Sequence, residues 1–343
     1  MEQRLEPQFT VRGRSRIYVG EAAELLPRLL PPGGRVVVIS DANIDRRHHG
    51  LLARYEHLLI GTGESAKTLR TVETLYDRLI ELGADRSTFV LGIGGGIVTD
   101  VAGFVASTYM RGLRFGFVST TLLGQVDASV GGKNGVNVDG YKNMVGTFNQ
   151  PDFVVCDTTL LSTLPLREFR TGLAEALKAG IIADAGLFGT LERTSVEELR
   201  RDRALLERIV GAAIRVKADI VERDEREGGE RRKLNLGHTF GHALEKCSSK
   251  MNHGEAVAVG TVIAARGAVK LGLLEDAERE RIEGALARLG FETESPVELR
   301  KLLKAVARDK KAEGELVRMV FPERIGACTV RPIALAELAE LLK

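Results

Sequence analysis

The first half of the chain alternates short apolar runs with segments in which apolar residues recur at helical spacing. Residues 35–40, 57–61 and 88–93 are apolar runs of strand length. Residues 67–82 repeat apolar side chains every three or four positions, which predicts a helix. Strands that alternate with helices predict right-handed βαβ units and a parallel, Rossmann-like sheet. Such sheets bind ligands at the carboxyl ends of their strands.

The pattern changes after residue 157. Helical periodicity dominates from there on, for example in residues 204–223 and 256–271, and the best remaining strand-like run is 316–321. We therefore predict an α/β N-terminal domain with a parallel sheet over residues 1–157. A mainly α-helical C-terminal domain is predicted over residues 158–343.

Composition narrows the class of protein. The 343 residues predict about two domains at roughly 150 residues each. With 44% hydrophobic and 28% charged residues, the chain is globular. A net charge of +2 argues against a nucleic-acid partner, and the longest apolar stretch, 256–265, is too short to span a membrane. Three dispersed cysteines indicate reduced thiols, so we expect a cytoplasmic protein, most simply an enzyme.

A glycine cluster follows the third predicted strand. Residues 92–100 read Gly-Ile-Gly-Gly-Gly-Ile-Val-Thr-Asp and precede a predicted helix over 98–109. Consecutive glycines before a helix N-terminus suit a pyrophosphate. Ile97 occupies the last glycine position of the usual dinucleotide fingerprint. The cluster is therefore either a different pyrophosphate loop or a tight turn.

Three of the six histidines lie within a short segment of the second half. His238 and His242 are four positions apart, on one face of a predicted helix, and His253 follows. Imidazoles with a carboxylate are the usual ligands of catalytic zinc. The alternative is a packed, hydrogen-bonded pair of histidines. From spacing alone, His238 and His242 would be the metal ligands.

Several lysines lie in unusual surroundings. Lys133 and Lys142 belong to a glycine- and asparagine-rich hairpin pattern, where they either bind an anion or remain solvated. Glu175 and Lys178 are three apart on an otherwise apolar helix, so they form either a surface salt bridge or a pair facing a buried site. Lys217 shows the same pattern more weakly. The charge run 222–233 predicts a solvated loop.

The order and spacing of these motifs resemble the 3-dehydroquinate synthase family of sugar phosphate cyclases. The resemblance covers most of the chain and is weakest in the first 60 and last 30 residues. It is carried by Gly94-Gly-Gly-x-x-x-Asp100, Thr120-Thr121-Leu-Leu, Asp127-Ala-Ser-Val-Gly-Gly-Lys133, Lys142-Asn143, Leu173-Ala-Glu175 and Asn235-Leu-Gly-His238.

The resemblance implies a reaction, two cofactors and a homodimer. The substrate would be 3-deoxy-D-arabino-heptulosonate 7-phosphate, a phosphorylated sugar acid, and the products 3-dehydroquinate and phosphate, in the shikimate pathway of aromatic amino acid biosynthesis. The implied chemistry is transient oxidation with NAD, phosphate elimination, re-reduction, ring opening and an intramolecular aldol step. The implied metal is Zn²⁺ or another divalent ion such as Co²⁺.

The resemblance also assigns site residues. The metal ligands become Glu175, His238 and His253, which moves His242 to the substrate. The implied substrate contacts are Arg111 (reaching into the neighbouring subunit), Asp127, Lys133, Asn143, Lys178, Lys217, Arg231, Asn235, His242 and Lys310. Catalytic roles fall to Lys133, Lys178, Arg231, Asn235 and His242. The implied NAD contacts are Asp41, Asn43, Glu64, Lys67, Gly95, Gly96, Asp100, Thr120, Thr121, Lys142 and Thr163.

Three positions depart from the family pattern. Ser65 replaces a common glutamine, although the flanking Glu64 and Lys67 are retained. Thr99 replaces a frequent glycine, and Thr171 replaces an asparagine that contacts the cofactor in some members, so that contact is not carried over. The alternatives are another sugar phosphate cyclase, an NAD- and metal-dependent polyol or glycerol phosphate dehydrogenase, and a non-catalytic binding protein with the same fold.

Overall fold

The computed structural model describes residues 5–309 and 316–341. The chain divides between Pro165 and Leu166 into two compact units. Among the described helices, none has both the length and the apolar character that a membrane span requires.

The first unit is built around a seven-stranded sheet with helices between its strands. Its elements in chain order are β1 (Phe9–Val11), β2 (Ser15–Val19), α1 (Ala22–Leu29), β3 (Val36–Asp41), α2 (Ala42–Leu52), β4 (Glu56–Ile60), α3 (Leu69–Glu81), β5 (Phe89–Gly94), α4 (Gly96–Thr108), β6 (Phe115–Ser119), β7 (Lys133–Val138), β8 (Tyr141–Phe148) and β9 (Phe153–Cys156). The strands predicted at 35–40, 57–61 and 88–93, and the helix predicted at 67–82, are confirmed within one or two residues.

The sheet order is β1-β2-β9-β6-β5-β3-β4, and every pair is parallel except β1 with β2. From β3 the chain first moves outward to β4 and then returns to the other side of β3 to form β5. The order therefore reverses between β3 and β5, and the crevice at such a point is where doubly wound sheets bind ligands. Asp41 ends β3 and Gly94 ends β5, so both lie at this reversal.

The core of the first unit explains why these segments form strands. All six residues of β5 are buried, as expected for a central parallel strand covered on both faces. Phe89 stacks on Phe153 with ring centroids 5.6 Å apart, linking β5 to β9 across the intervening strand. β7 and β8 form a separate antiparallel hairpin, which confirms the hairpin pattern in the sequence.

The second unit is mainly helical and carries one antiparallel strand pair, β10 with β11. Its elements are α5 (Leu166–Ala183), α6 (Ala185–Arg193), α7 (Val196–Arg201), α8 (Arg203–Arg223), α9 (His238–Cys247), α10 (His253–Lys270), α11 (Asp276–Arg288), α12 (Leu299–Asp309), β10 (Leu316–Arg324), β11 (Ala327–Ala334) and α13 (Leu335–Leu341). α5 and α10 are buried over most of their length and pack against each other. Together with the sheet of the first unit, this confirms the predicted fold class.

The predicted domain boundary after residue 157 differs from the division after Pro165. Asp157 accepts a hydrogen bond from the Ala22 N–H at 2.8 Å, and its other oxygen caps the short 3₁₀ helix Thr158–Thr163. The Thr163 hydroxyl in turn hydrogen-bonds the His48 ring at 2.8 Å. These contacts attach the segment after residue 157 to the first unit, although its sequence carries no strand pattern.

Candidate functional site

Three side chains of the second unit form a cluster that could hold a metal ion. Glu175 lies in the middle of α5, His238 is the first residue of α9, and His253 is the first residue of α10. Their ligand atoms all lie within 4.8 Å of one another. The Glu175 Oε1 atom is 3.3 Å from His253 Nε2 and 3.7 Å from His238 Nε2.

Local backbone features place both histidines at helix starts. Gly237 precedes His238 with φ of 78°, a left-handed conformation that favours glycine. A capping box starts α10: Asn252 and Glu255 exchange two hydrogen bonds of 2.9 Å each. Arg167, at the start of α5, donates hydrogen bonds of 2.8 and 2.7 Å to the Glu255 carboxylate. The position of His253 is thereby fixed relative to α5.

Charge and burial set the protonation of the cluster. Burial acts to raise the pKa of Glu175, but the Lys178 ammonium and the nearby histidine rings outweigh it and hold this pKa well below its usual range. Burial, together with the Lys178 charge, lowers the pKa of His238 to about 3. Burial also acts to lower the pKa of His253, but contacts with Glu175 and Glu245 raise it to about 9. His238 is therefore neutral at pH 7, as a metal ligand must be, and a bound metal would take the place of the His253 proton.

The donor set fits a divalent zinc-type metal. Both oxygens of Glu175 are buried, and neither accepts a well-formed hydrogen bond from the part of the chain that the structure describes. Lys178 contacts Oε2 as an ion pair, as the i,i+3 spacing predicts, and both residues are buried. One carboxylate and two imidazoles leave an open coordination position, which is typical of catalytic zinc or cobalt sites. His242 is exposed and stands edge-on to His238, with ring centroids 5.3 Å apart, and it does not belong to the cluster.

The same unit buries three cationic side chains on elements that pack against one another. Lys178 on α5, Lys217 on α8 and Arg231 on the following 3₁₀ turn are all less than a tenth exposed. Cationic side chains are almost never this buried without an anionic partner or ligand. The elements that carry them pack against one another. This unit therefore concentrates positive charge in its interior, as a site for an anionic substrate requires.

The predicted solvated loop over 222–233 is only partly correct, because Gly228, Gly229 and Glu230 are exposed but Arg231 is buried in the 3₁₀ helix Glu230–Asn235. Asp224 accepts hydrogen bonds from three backbone N–H groups between residues 228 and 231, at 2.7 to 3.0 Å. Burial acts to raise the pKa of Asp224, and these bonds outweigh it and lower the pKa. The guanidinium of Arg231 donates to the Glu225 carbonyl oxygen. A highly charged segment can thus form an ordered turn when one carboxylate accepts hydrogen bonds from several backbone N–H groups of that turn.

Two acidic residues of the second unit were not predicted from the sequence to take part in a site. Glu227 has φ of 62° and accepts a hydrogen bond from the Asn235 side chain. Glu245 Oε1 lies 3.6 Å from His253 Nδ1. Glu227 is hidden in a charge run that contains many other acids. Glu245 stands seven positions after His238, on the same helical face, and that spacing was the only available signal.

The glycine loop of the first unit forms the start of α4. Gly95 is the N-cap, and a Cβ atom there would lie 2.8 Å from the Thr121 methyl group. At the end of β6, the hydroxyls of Ser119 and Thr120 are buried, and neither has a hydrogen-bond partner in the described chain. The N-terminus of α4, the glycine backbone next to it and two buried hydroxyls without partners could together bind the pyrophosphate of a dinucleotide. Ser119 was not among the expected NAD contacts.

A second polar network joins residues expected to contact NAD with one expected to contact the substrate. The buried Lys67 ammonium contacts the Asp100 carboxylate and donates to Asn143 Oδ1 at 2.5 Å. Glu64 accepts a hydrogen bond of 2.8 Å from Asn137 of β7. The network holds the β7–β8 hairpin to the turn before α3 and to α4.

Other residues expected to contact NAD lie on different elements of the first unit. Asp41 caps α2 by accepting hydrogen bonds from the backbone N–H of Asn43, at 2.7 Å, and of Ile44, at 3.1 Å. Thr163 is paired with His48, as described above. Lys142 is exposed on β8. Asp41 lies at the sheet reversal, where the fold favours ligand binding.

The expected substrate contacts of the first unit lie on irregular or exposed backbone. Asp127 lies in a π-helical turn, Gly124–Ala128, a rare geometry that is frequent at functional sites. Lys133 is exposed at the start of β7. Arg111 is exposed and has φ of 70°, next to Met110 with φ of 50°. Lys310 lies outside the described residues.

Comparisons with known proteins agree with this architecture. The N-terminal family model of 3-dehydroquinate synthase matches residues 57–171, and the C-terminal model matches residues 172–312. The 3-dehydroquinate synthase of Geobacter metallireducens is 40% identical over 348 residues, covering 97% of this chain and 95% of that protein.

Two solved structures share the fold at lower sequence identity. One is ValA, the 2-epi-5-epi-valiolone synthase of Streptomyces hygroscopicus subsp. jinggangensis 5008 with NAD⁺ and Zn²⁺ bound. It is 28% identical with a TM-score of 0.86, covering 99% of this chain and 98% of that one. The other is 2-deoxy-scyllo-inosose synthase complexed with carbaglucose-6-phosphate, NAD⁺ and Co²⁺, which is 27% identical with a TM-score of 0.85 and 95% of both chains covered. Because both family models and a relative that spans nearly the whole chain agree, the resemblance seen in the sequence is confirmed, and this chain belongs to the 3-dehydroquinate synthase family.

Proposed function

We propose that this protein is a 3-dehydroquinate synthase, a carbon–oxygen lyase that converts 3-deoxy-D-arabino-heptulosonate 7-phosphate to 3-dehydroquinate and phosphate. The observation that carries the proposal is the buried Glu175 carboxylate, faced by His238 and His253 and paired with Lys178. A metal site beside buried cations suits a substrate that carries hydroxyls together with a carboxylate and a phosphate.

In this proposal the second unit binds metal and substrate. Glu175, His238 and His253 hold Zn²⁺ or another divalent ion such as Co²⁺, the ions bound in the two related structures. When bound, the metal supplies Lewis-acid polarisation of the substrate oxygens. The open coordination position is the place for those oxygens.

The polar residues around the metal ligands hold the substrate. Lys178, Lys217 and Arg231 bind its anionic groups, and their burial keeps these charges from being screened by water. Asn235 and His242 orient hydroxyl groups, and the His242 imidazole can relay protons. The remaining proposed substrate contacts are Arg111, Asp127, Lys133, Asn143 and Lys310, with catalytic roles for Lys133, Lys178, Arg231, Asn235 and His242.

The first unit binds NAD in this proposal. The free N–H groups at the start of α4 suit the pyrophosphate, and the buried Thr120 hydroxyl can donate to it. NAD supplies a reversible hydride acceptor when bound. The proposed contacts are Asp41, Asn43, Glu64, Lys67, Gly95, Gly96, Asp100, Thr120, Thr121, Lys142 and Thr163.

The protein is further proposed to be a cytoplasmic homodimer. On β8, Tyr141, Met144 and Phe148 are each about half exposed or more, and large exposed apolar side chains support an interface with a second copy. The two buried cysteines, Cys156 and Cys328, are free, and burial raises the pKa of Cys328 to about 12. Unreactive, unpaired thiols are what a reducing compartment permits.

One assay separates this function from its alternatives. Purified protein is supplied with 3-deoxy-D-arabino-heptulosonate 7-phosphate, NAD and Zn²⁺, with and without chelator, and phosphate, 3-dehydroquinate and NADH are measured. We expect chelator-sensitive release of phosphate with equal 3-dehydroquinate and no net NADH, because the hydride returns to the substrate.

Parallel reactions with sedoheptulose 7-phosphate, glucose 6-phosphate and glycerol test the other classes. Phosphate release from one of those sugars alone would identify a different cyclase. Net NADH from glycerol would identify a dehydrogenase. An absence of turnover with bound metal and NAD would favour a binding protein.

A further inference from the structure

Both histidines of the metal cluster turn the same ring nitrogen toward Glu175. The Nε2 atoms of His238 and His253 are the ones that lie 3.7 and 3.3 Å from Glu175 Oε1. The Nδ1 atom at the back of the His238 ring lies 3.1 Å from the Leu236 carbonyl oxygen. A carbonyl oxygen can only accept, so this contact keeps a proton on Nδ1 and leaves Nε2 free to bind a metal.

His253 has a carboxylate in the corresponding place. Glu245 Oε1 lies 3.6 Å from His253 Nδ1, behind the ring as seen from Glu175. Glu245 belongs to α9, on the same helical face as His238, and α9 packs against α10, which begins with His253. Only 11% of its side chain is exposed, which is little for a glutamate on a helix surface.

We propose that Glu245 is a positioning residue of the metal site, which holds the His253 ring through Nδ1 so that Nε2 points at the metal. The carboxylate selects the tautomer with the proton on Nδ1 and makes the opposite nitrogen a stronger ligand. Metal-binding histidines commonly have such a partner, and its loss typically weakens metal binding by about 10- to 100-fold. A single helix, α9, then supplies one ligand directly and orients another.

A purely structural role would have different consequences. Glu245 also stands near the positive N-terminal end of α10, where a carboxylate stabilises a helix irrespective of any metal. In that case its removal would lower the stability of the metal-free protein and leave the metal affinity of the folded protein unchanged. The two roles are therefore separable by measuring stability and metal affinity independently.

The role proposed for Glu245 rests on the proposed metal site, and the experiment distinguishes a failure of that role from a failure of the site. Zn²⁺ affinity of the full-length, metal-free protein is measured by competition with a chromophoric chelator. The variants are Glu245→Ala, Glu245→Gln and His253→Ala, which lacks the ligand itself. Glu292→Gln is the matched control, since Glu292 is exposed and lies outside helices and strands. Urea unfolding of each metal-free variant reports the fold.

We expect Glu245→Ala to weaken Zn²⁺ binding by about 10- to 100-fold. Glu245→Gln should lie between that variant and the wild type, because its amide oxygen can accept from Nδ1 but carries no charge. The Co²⁺ absorption spectrum should change in both. Wild-type affinity in Glu245→Ala, or the same loss in Glu292→Gln, would overturn the role of Glu245. If the wild-type protein bound no Zn²⁺, the proposed metal site itself would be wrong.

Discussion

The Lys67 ammonium donates a hydrogen bond of 2.5 Å to the side-chain oxygen of Asn143, although the two residues are 76 positions apart. The same ammonium contacts Asp100 of α4. Asn143 has φ of 54°, and its backbone N–H donates a hydrogen bond of 2.9 Å to Asn137 Oδ1. A shift of Asn143 would break both this bond and the contact with Lys67. Lys67 therefore ties residues proposed for the cofactor to one proposed for the substrate.

Replacing Lys67 should weaken the proposed cofactor site. In Lys67→Met, the Asp100 carboxylate, which is only 19% exposed, loses this cation and Asn143 loses its donor. We expect NAD affinity to fall by about tenfold, or about 1.4 kcal/mol, because the Lys67 ammonium is itself a proposed NAD contact and also holds Asp100 and Asn143 in place. Titration calorimetry with NAD measures the change. Arg70→Met, which removes an exposed cation from α3, should bind NAD normally. Normal NAD affinity in Lys67→Met would contradict this role.

The start of α9 should be sensitive to a single methyl group. In Gly237→Ala, the new Cβ would lie 2.4 Å from the Thr261 hydroxyl and 2.7 Å from the Val257 carbonyl oxygen, at φ of 78°. The helix start, and His238 with it, would have to move. We expect a loss of more than about 2 kcal/mol in the free energy of unfolding, together with weaker Zn²⁺ binding.

Gly272→Ala is the matched control for that substitution. Gly272 has φ of 66°, but an added Cβ there would meet nothing within 4 Å. Only the conformational cost of about 1 kcal/mol applies, and Zn²⁺ binding should be unchanged. Urea unfolding and the chelator competition measure both quantities. Equal effects of the two substitutions would mean that α9 adapts without moving His238.

Much of the fold could be predicted because each strand and helix imprints its own period on the sequence. The site could be predicted only in part. Helical spacing alone paired His238 with His242, whereas the cluster takes its third member from α5, far away in the chain. Glu245 was missed because its contact depends on how α9 packs against α10. Such long-range relationships leave no local pattern, so a family resemblance was needed to assign Glu175 as a metal ligand.

An ion-pair network in the second unit should make its stability depend on pH. Arg266 of α10 binds Glu283 through two hydrogen bonds, of 2.9 and 3.2 Å, and Glu294 at 2.7 Å. Burial acts to raise the pKa of Glu283, but the bonds from Arg266 and Arg279 outweigh it and lower the pKa. The bond from Arg266 likewise lowers the pKa of Glu294. A lowered folded-state pKa means that this stabilisation is complete above the usual glutamate range and is lost as pH falls through the lowered values.

Arg266→Met should therefore destabilise the protein by about 1 kcal/mol at pH 7, a modest amount because the pairs are partly solvent-exposed. The difference from wild type should shrink as pH falls from the usual glutamate range through the lowered pKa values of Glu283 and Glu294. Urea unfolding over a series of pH values from 7 downward measures it. Arg208→Met, which removes an exposed arginine of α8, should show no such dependence. A difference that stayed constant across the series would assign the effect to packing of the Arg266 stem.

Arg111 combines an exposed cation with a backbone conformation that a non-glycine residue adopts at a cost. Its φ is 70°, and that of Met110 is 50°. Strain of this kind, about 1 kcal/mol or more, persists where function requires the side chain.

Arg111→Gly should relieve the strain at this position and keep or raise the unfolding temperature. The same variant should raise KM for 3-deoxy-D-arabino-heptulosonate 7-phosphate by about tenfold or more, because a charged hydrogen bond to phosphate is lost, while kcat changes little. Steady-state kinetics and thermal unfolding of one preparation measure both. A variant that is more stable and has an unchanged KM would show that the Arg111 side chain does not hold the substrate phosphate.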